Sequence, residues 1–423
     1  MCPSTANTAW FVHDRFGLFL HWGLYSLPAR HEWVQSNERI SPEEYQHYFE
    51  RFDPVRYDPQ AWAQAAKSAG MKYAVITAKH HEGFCLWDSR FTDYKATNTP
   101  AKRDLLRPFV EAFRAAGLRV GFYYSLLDWH HPDFPIDIFH PLRDHSEAAR
   151  LNEDRDVRRY AAYVRDQVGE LLTDFSPVDI LWCDFSYPDS SYKGLPGKGC
   201  QDWESEKLVE LVRSLQPNIL MNNRLDLPGG ADFYTPEQVQ PMEWVQVDGQ
   251  PVVWEACHTF SGSWGYHRDE QSWKSPEQLI HLLVDSVSRG GNLLMNVGPT
   301  ALGEFDPRAR QALEVYAEWL DRHSEAIYGC TQSAFEAPLD CRLTQNGNRV
   351  FIHIYAWPFR FLHCRGLAGK VAFARFLHDG SEIPLVPPGW ESKQFRSDPS
   401  TLVLTLPVQK PPVVVPVIEL TLA

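Results

Sequence analysis

The feature that most constrains the fold of this chain is a regular alternation of short apolar runs with helical patterns between residues 16 and 325. Seven apolar runs span residues 16–25, 73–79, 119–126, 178–184, 218–223, 251–256 and 292–297. Their nearly continuous apolar character is typical of strands covered on both faces. Strands that alternate with helices form parallel βα units. The alternation therefore predicts an α/β domain built on a parallel sheet.

The segments between these runs carry the start and stop signals of helices. Asp58-Pro59 predicts a helix that Gly70 ends, and residues 275–278 form a capping box with proline at the first helical position. A complete (β/α)8 barrel needs eight strands, so one strand is hidden in residues 242–247 or is irregular. An open doubly wound sheet is the alternative, but its glycine-rich phosphate loop is absent. We predict a distorted (β/α)8-like barrel.

The pattern changes after about residue 330, where no long helix follows and prolines are frequent. Strand-like runs occupy residues 349–357, 370–377, 400–406 and 413–422. Short strands separated by turn residues are typical of an antiparallel β-sandwich. We therefore predict two domains, a barrel over residues 1–330 and a C-terminal β-sandwich over residues 331–423.

Charge and cysteine usage argue against several classes of partner. The 423 residues carry a formal net charge of −13, whereas nucleic-acid binding needs clustered Lys and Arg. We expect no membrane partner either, because no basic run, signal peptide or stretch of 18 apolar residues is seen. The eight cysteines form no CxxC pair. We expect them to be buried thiols, which favours a reducing cytoplasm.

Polar side chains are concentrated at the carboxyl ends of the predicted strands, which meet at one mouth in a barrel. They include His21, residues 79–82, Tyr123, residues 128–131, Asp184, Arg224, Glu237, Glu255, His258, Asn292 and Asn296. Histidines, carboxylates and an arginine at one mouth indicate a site for a polyhydroxylated ligand. The 15 tryptophans of the chain suit the apolar face of a sugar ring, although large cores use them too.

Three carboxylates in this set could act in catalysis. Asp184 ends an otherwise apolar strand, where it is either a structural cap of the next loop or a nucleophile for an anomeric carbon. Glu237 lies with Arg224 in a Gly/Pro-rich loop, which is also consistent with a solvated turn. Glu255 lies within an apolar run and could be an acid or the partner of a buried arginine.

His80-His81-Glu82 raises the question of a metal ion. Adjacent strand residues point to opposite faces, so the two imidazoles are not expected to chelate one ion, and the His-Glu-x-x-His spacing of zinc helices is missing. We expect no metal and no cofactor, and we favour binding of sugar hydroxyls over a structural role. A metal-dependent barrel hydrolase is the enzymatic alternative, and a non-catalytic lectin-like protein is the alternative from another class.

Taken in order, the motifs of the chain resemble the α-L-fucosidases of glycoside hydrolase family 29. The matching stretches are RFGLFLHWGLYSLPA, the EW of HEWV, YAVITAKHHEGFCLW, VGFYYSLLDWHHPDF, VDILWCDF, NNRLDLPGGADFYTPE, WEACHTFSGSWGY and RGGNLLMNVGPTALGE. They cover roughly residues 15–305, and so many ordered motifs make a chance match improbable. The resemblance implies a distorted barrel followed by a β-sandwich, as the strand pattern also predicts.

The resemblance also implies roles for individual residues. Asp184 falls on the family's nucleophile and Glu237, in the TPE segment, on its acid/base, with Glu255 as the alternative acid/base. The expected substrate-binding residues are His21, Glu32, Trp33, His80, His81, Tyr123, Trp182, Arg224 and Trp264. These roles imply a retaining exo-enzyme that removes terminal α-linked L-fucose by double displacement through a covalent fucosyl-enzyme.

The expected partner is a fucosylated oligosaccharide or glycoside. The GNE-type segment of the subgroup specific for branched α-1,3/1,4 linkages is absent, so the chain is more similar to the broader-specificity subgroup. The linkage and the aglycone do not follow from the sequence, because such subsites are built from variable loops. A homo-oligomer would be compatible with an open mouth that a neighbouring subunit completes.

Overall fold

The computed structural model describes residues 6–385 and 398–423, and its larger part is a curled parallel sheet covered by helices. The sheet strands are β1 (Phe16–Leu20), β2 (Tyr73–Lys79), β3 (Arg119–Ser125), β4 (Ile180–Asp184), β5 (Leu220–Met221), β6 (Glu255–Thr259) and β7 (Asn292–Val297). Their order is β6-β7-β1-β2-β3-β4-β5, and every pair is parallel. The predicted α/β barrel architecture is confirmed.

Helices connect the strands and cover the outside of the sheet. They are α1 (Ala9–Asp14), α2 (Val34–Asn37), α3 (Pro42–Phe49), α4 (Pro59–Ser68), α5 (Leu106–Ala115), α6 (Ala148–Leu151), α7 (Val157–Asp174), α8 (Cys200–Trp203), α9 (Ser205–Leu215), α10 (Pro276–Ser288) and α11 (Pro307–His323). The predicted caps are present. Asp58 accepts a hydrogen bond from the backbone N–H of Ala61 and begins α4, and Ser275 accepts one from that of Gln278 and begins α10.

An irregular segment, residues 232–238, occupies the place of the eighth strand. On one side the backbone N–H of Asp232 donates to the carbonyl of Met221 in β5, at 2.8 Å. On the other side the N–H of Cys257 in β6 donates to the carbonyl of Pro236, at 3.0 Å. The segment therefore joins the two edges of the seven-stranded sheet, and the irregular alternative for the missing strand is confirmed.

The predicted sixth strand, at residues 251–256, is wrong in its position. Gln250–Pro251 pairs with Gln246–Val247 in a short hairpin, so residues 242–247 do not supply the missing strand either. The strand β6 starts only at Glu255. Glu255 is therefore the first residue of its strand and lies at the amino-terminal end of the barrel, not at the mouth.

Alternate side chains of the strands build two separate layers. Phe19, Trp182 and Leu294 point into the barrel and pack against one another, whereas the residues between them pack under the helices. Because side chains along a strand alternate with a period of two, the next inward positions lie two residues further on. These positions, at the carboxyl ends of β1 and β4, belong to His21 and Asp184.

The amino-terminal end of the barrel is filled by aromatic rings. Phe11 of α1 packs against Tyr73 and Phe233, with ring centroids 5.4 and 4.9 Å apart. Gly17 makes room for this layer, since a Cβ atom there would lie 2.2 Å from the ring of Tyr73. The interior is therefore a packed core beneath the carboxyl-terminal mouth.

The C-terminal part consists of antiparallel strands. They are β8 (Thr331–Gln332), β9 (Cys341–Asn346), β10 (Arg349–Ile354), β11 (Phe361–Cys364), β12 (Val371–Phe376), β13 (Leu402–Thr405) and β14 (Val417–Leu422). A five-stranded sheet has the order β8-β9-β10-β14-β12, and β11 pairs with β13. Apolar side chains of both sheets share one core, which confirms the predicted sandwich. The sequence pattern missed β8, β9 and β11. The domain boundary at residue 330 stays a prediction.

Two further features bear on the sequence predictions. No helix in residues 6–385 and 398–423 is both long and apolar enough to cross a bilayer. The seven cysteines in these ranges are free, and all except Cys200 are buried. Cys2 lies outside the described residues.

The buried ion pair between Lys79 and Asp128 yields a stability prediction. Lys79 Nζ lies 3.0 Å from Asp128 Oδ2, and the two side chains are 0% and 2% exposed. Lys79→Met leaves the Asp128 carboxylate buried without a counter-charge, so we expect the free energy of unfolding to fall by about 3–5 kcal/mol. Urea denaturation measures the loss. Arg268→Met is the matched control, because its ion pair with Asp269 is exposed and should contribute nothing measurable. Equal effects of the two substitutions would contradict the prediction.

Candidate active site

A pocket opens at the carboxyl-terminal end of the barrel. Its lining residues are Phe19, His21, Glu32, Trp33, His80, His81, Tyr123, Trp182, Asp184, Phe185, Glu237, Cys257 and Trp264. Both expected catalytic residues and every expected substrate-binding residue except Arg224 are among them. Arg224 contacts three of the lining residues, Asp184, Glu237 and Trp182. The alternative acid/base, Glu255, is not among them.

Asp184 is the last residue of β4 and is held by two donors. Arg224 Nη1 donates to Asp184 Oδ1 at 2.9 Å, and the hydroxyl of Tyr123 donates to Oδ2 at 2.7 Å. Burial raises the pKa of Asp184 to about 6, while the positive charge of Arg224 and the hydrogen bond of Tyr123 act in the opposite direction. At neutral pH the side chain is therefore mainly a carboxylate, the form that a nucleophile requires.

Arg224 links Asp184 to a second carboxylate. Its Nη2 donates to Glu237 Oε2 at 2.7 Å, while Nη1 donates to Asp184. The guanidinium lies over the ring of Trp182, 4.9 Å from its centroid. The side chain of Glu237 is 41% exposed, whereas that of Asp184 is 11% exposed. One carboxylate is thus buried in the pocket wall, and its neighbour is open to solvent at the mouth.

The hydrogen bonds around His21 determine which of its nitrogens carries the proton. His21 Nδ1 lies 2.6 Å from Asn296 Oδ1, and the Asn296 amide group donates to the carbonyl of Trp264 at 2.6 Å. Asn296 Oδ1 can only accept, so His21 Nδ1 is the donor and Nε2 is left as an acceptor. Burial lowers the pKa of His21 to about 3, which keeps the imidazole neutral.

The same argument applies to His81. Its Nδ1 lies 2.7 Å from Ser125 Oγ, and the Ser125 hydroxyl already donates its one proton to the carbonyl of Leu127 at 2.8 Å. His81 Nδ1 is therefore the donor, and Nε2 is again an acceptor. Burial also lowers the pKa values of His80 and His81 well below the usual range. The pocket thus offers neutral imidazoles with free acceptor nitrogens.

The sequence pattern predicts that His80 and His81 point to opposite faces. In the structure they point to the same side. The strand β2 ends at Lys79, so the alternation of side chains stops before the two histidines. Both line the pocket, with ring centroids 3.9 Å apart. Even so, the described residues include no group of three or more His, Cys, Asp or Glu side chains that could hold a metal ion.

Loops after β1 and β6 close one side of the pocket. Glu32 Oε2 accepts a hydrogen bond from the backbone N–H of Gly265 at 2.7 Å, and burial raises the pKa of Glu32. Trp33 packs against His81 and Phe185, with centroids 4.8 and 5.3 Å apart. The Glu32-Trp33 pair therefore joins the two loops and supplies an aromatic face to the pocket.

Glu255 lies away from this pocket, at the amino-terminal end of the barrel. Its carboxyl group accepts a hydrogen bond from the hydroxyl of Tyr73, the first residue of β2. Burial raises the pKa of Glu255 to about 8. The expectation that Glu255 stands at the mouth is therefore wrong, because its strand begins rather than ends with it.

Sequence reasoning missed Phe19, Cys257 and Phe185 as pocket residues. Phe19 precedes His21 by two positions in β1, and Cys257 follows Glu255 by two in β6, so strand alternation would have predicted both once the strand bounds were right. Phe185 follows Asp184 with φ +84°, a left-handed conformation rare for a non-glycine residue. Nothing in the sequence signals that conformation.

Comparison with known proteins agrees with this geometry. The family model described as alpha-L-fucosidase matches residues 3–325. The human plasma alpha-L-fucosidase is 30% identical over 353 residues, which cover 76% of this chain and 69% of that protein. The bovine tissue alpha-L-fucosidase is 28% identical over 380 residues, which cover 83% and 75%.

Solved structures are similar over the whole chain. Alpha-L-fucosidase isoenzyme 1 from Paenibacillus thiaminolyticus is 46% identical with a TM-score of 0.92, and the match covers 98% of each chain. A GH29 alpha-L-fucosidase from Bacteroides thetaiotaomicron, solved as a trapped covalent intermediate with 2-fluoro-fucosyl fluoride, is 29% identical with a TM-score of 0.83 and covers 100% and 97%. The barrel, the pocket at its mouth and these matches show that the chain is a glycoside hydrolase and belongs to the α-L-fucosidases of family GH29.

Proposed function

We propose that the protein is an exo-acting, retaining α-L-fucosidase in which Asp184 is the nucleophile and Glu237 the acid/base. The observation that carries the proposal is the guanidinium of Arg224, which binds a buried and an exposed carboxylate at one pocket mouth. A retaining glycosidase needs two carboxyl groups about 5–5.5 Å apart, and two groups that share one guanidinium are necessarily close. The relative that was trapped as a covalent intermediate supports the same mechanism.

In the first step the Asp184 carboxylate attacks C1 of the fucosyl unit, and the bond from C1 to the leaving oxygen breaks. Glu237 gives its proton to that oxygen, so the aglycone leaves as an alcohol and a fucosyl-Asp184 ester remains. Arg224 and Tyr123 hold Asp184 in position for the attack. The exposed position of Glu237 suits a group that must reach an oxygen outside the pocket.

In the second step Glu237, now a carboxylate, takes a proton from water while the water oxygen attacks C1. The ester bond breaks and Asp184 returns to its ionised form, so the two inversions give net retention at C1. Arg224 Nη2 lies 2.7 Å from Glu237 Oε2, so the arginine can stabilise the carboxylate that this step requires. The positive charge of Arg224 therefore lies beside both carboxyl groups in each step.

The pocket suits one sugar unit with several hydroxyls. It is a small pocket, and a packed core closes its inner end. The acceptor nitrogens of His21 and His81 can receive the protons of sugar hydroxyls. Trp182 and Phe19 offer apolar faces for the methyl group of fucose. A closed end of this size favours removal of a terminal residue.

We infer that the protein works in a reducing cytoplasm. The seven described cysteines are free, and thiols persist where disulfides are kept reduced. Localisation of a tagged chain in its native cell would test this part of the proposal.

The nucleophile assignment predicts the outcome of removing the Asp184 carboxylate. Asp184→Gly should reduce hydrolysis of an aryl α-L-fucoside by at least about a thousandfold, because no group remains to form the covalent intermediate. Added azide should restore turnover and give β-L-fucosyl azide, which NMR identifies. Asp189→Gly, at an exposed turn outside the pocket, is the matched control and should behave as the native protein. Normal hydrolysis by Asp184→Gly would refute the assignment.

The acid/base assignment predicts a dependence on the leaving group. Glu237→Ala should slow the hydrolysis of methyl α-L-fucoside by about 100-fold or more. It should affect the hydrolysis of α-L-fucosyl fluoride far less, because fluoride needs no proton to depart. Glu255→Gln, which preserves the volume of a residue at the opposite end of the barrel, should show no such difference. If the leaving-group dependence appears in Glu255→Gln and not in Glu237→Ala, the assignment is wrong.

The raised pKa of Asp184 predicts the acid limb of activity. The value of kcat/KM should fall as the pH decreases through about 6, because Asp184 takes up a proton there. Arg224→Met removes the positive charge that favours the carboxylate, so the pKa should rise and the acid limb should move to higher pH. Arg165→Met, which breaks a separate ion pair with Glu204, is the control. An unchanged limb in Arg224→Met would contradict this prediction.

A further inference from the structure

A network of buried polar side chains runs along the inside of the barrel beneath the pocket, and we call it the axial network. Its members are Asn292, Tyr73, Glu255 and Trp182, and each is at most 2% exposed. The amide group of Asn292 donates to the hydroxyl of Tyr73 at 3.3 Å, and this hydroxyl donates to Glu255 Oε2. The first three members begin β7, β2 and β6, so the network starts at the amino-terminal end of the barrel.

Trp182 is the member of the axial network that reaches the pocket. Among residues 6–385 and 398–423, its indole Nε1 and Glu255 Oε1 are buried atoms without a partner at ordinary hydrogen-bond geometry. The two side chains are close enough to interact. Burial raises the pKa of Glu255, and the Tyr73 hydroxyl and the Trp182 indole N–H act in the opposite direction as hydrogen-bond donors. An indole N–H can only donate, so Glu255 supplies the acceptor for Trp182.

The Trp182 ring contacts both side chains that hold Asp184. The ring of Tyr123 stacks on it with centroids 5.7 Å apart and an interplanar angle of 19°, and the guanidinium of Arg224 lies 4.9 Å from its centroid. Tyr123 and Arg224 each donate one hydrogen bond to Asp184. A rotation of the indole would therefore displace both donors at once.

Volume alone does not explain a carboxyl group in this position. The neighbouring space at the amino-terminal end of the barrel is filled by apolar rings, those of Phe11 and Phe233 among them. A methionine would fill the place of Glu255 without the cost of burying a polar group. A buried oxygen that is not fully hydrogen-bonded lowers the stability of the native state. What the carboxyl group adds is an acceptor that fixes the orientation of the Trp182 ring.

We propose that Glu255 is a positioning residue that fixes the Trp182 ring and, through this ring, the two donors that hold Asp184. The inference rests on the proposed role of Asp184 as the nucleophile. Glu255 does not line the pocket, so it acts on the reaction only through its neighbours. A misplacement of about 1 Å in a reacting group can slow a reaction by about 100-fold. A small rotation of the indole would thus lower the rate without closing the pocket.

The first test separates the acceptor from the volume of the side chain. Glu255→Met keeps a similar length but removes the acceptor, so kcat for an aryl α-L-fucoside should fall by at least about tenfold while KM changes by less than about threefold. Glu255→Gln keeps a carbonyl oxygen for Trp182, so its kcat should stay within about threefold of the native value. Such a recovery would identify the acceptor as the group that matters.

The second readout is the acid limb of kcat/KM. In Glu255→Met a displaced Trp182 ring no longer supports the two donors to Asp184. These donors favour the ionised form of Asp184, so its pKa should rise and the acid limb should move to higher pH. A side chain with a merely structural role would change stability and leave the acid limb in place.

A third readout distinguishes positioning from proton transfer. Glu255→Met should slow the hydrolysis of α-L-fucosyl fluoride and of methyl α-L-fucoside by similar factors, because a misplaced nucleophile impairs the attack on both. A loss confined to methyl α-L-fucoside would mean that Glu255 supplies a proton, and it would overturn the inference.

Gln167→Met is the matched control. Gln167 Oε1 accepts a hydrogen bond from the hydroxyl of Tyr124 at 2.9 Å, and this buried pair lies between β3 and α7, outside the barrel interior. The substitution removes the acceptor of a tyrosine hydroxyl, as Glu255→Met does, so it should lower the free energy of unfolding. It should leave kcat and the acid limb unchanged.

A second variant covers the case in which Glu255→Met does not fold. Tyr73→Phe removes only the hydroxyl that binds Glu255, and it should lower kcat by roughly two- to fivefold and move the acid limb to higher pH. A native kcat and acid limb in the folded variant would overturn the inference, as would equal losses in Glu255→Met and Glu255→Gln. An absence of fucoside hydrolysis by the native protein, or full activity of Asp184→Gly, would instead overturn the proposed function.

Discussion

Residues 232–238 are hydrogen-bonded to both edges of the seven-stranded sheet, and most of the active-site geometry depends on that closure. Thr235 and Glu237 are two residues apart in this segment, so their side chains lie on the same side, as they would along a strand, and both bind Arg224. The position of the exposed carboxylate is thus a consequence of how the barrel closes.

Burial around the pocket has opposite effects on its acidic and basic groups. It raises the pKa of Asp184 and lowers those of the histidines, so both kinds of group become less charged than in water. The positive charge of Arg224 favours the ionised form of Asp184, because the guanidinium contacts that carboxylate directly. The site therefore combines one anionic carboxylate with neutral imidazoles, an arrangement suited to an uncharged sugar.

How far the sequence could predict this site depends on the kind of signal each residue leaves. Asp184 is recognisable because a charge that ends an apolar strand is rare, and His21 because other polar side chains accompany it at the predicted strand ends. Glu255 was misplaced because an apolar run does not show where a hairpin stops and a strand starts. Glu237 has no periodic signal, and only the resemblance indicated its role.

Other features depend on contacts between distant parts of the chain. The acceptor nitrogen of His21 depends on Asn296, 275 residues away, and that of His81 on Ser125. The left-handed backbone conformation of Phe185 forms only when several strand ends come together. The same is true of the hydrogen bond by which Glu32 joins the loops after β1 and β6. Such properties belong to the assembled barrel and leave no local pattern in the sequence.

The buried carboxyl groups of Glu82 and Glu255 have a consequence for the thermodynamics of the whole chain. Burial raises the pKa of each to about 8, so at neutral pH both hold protons in the native state that the unfolded chain would release. The native state binds more protons, so alkali favours unfolding. The contribution of these two groups is complete below about pH 4.5 and disappears as the pH rises through about 8, so both favour the native state in acid and lose that effect in alkali.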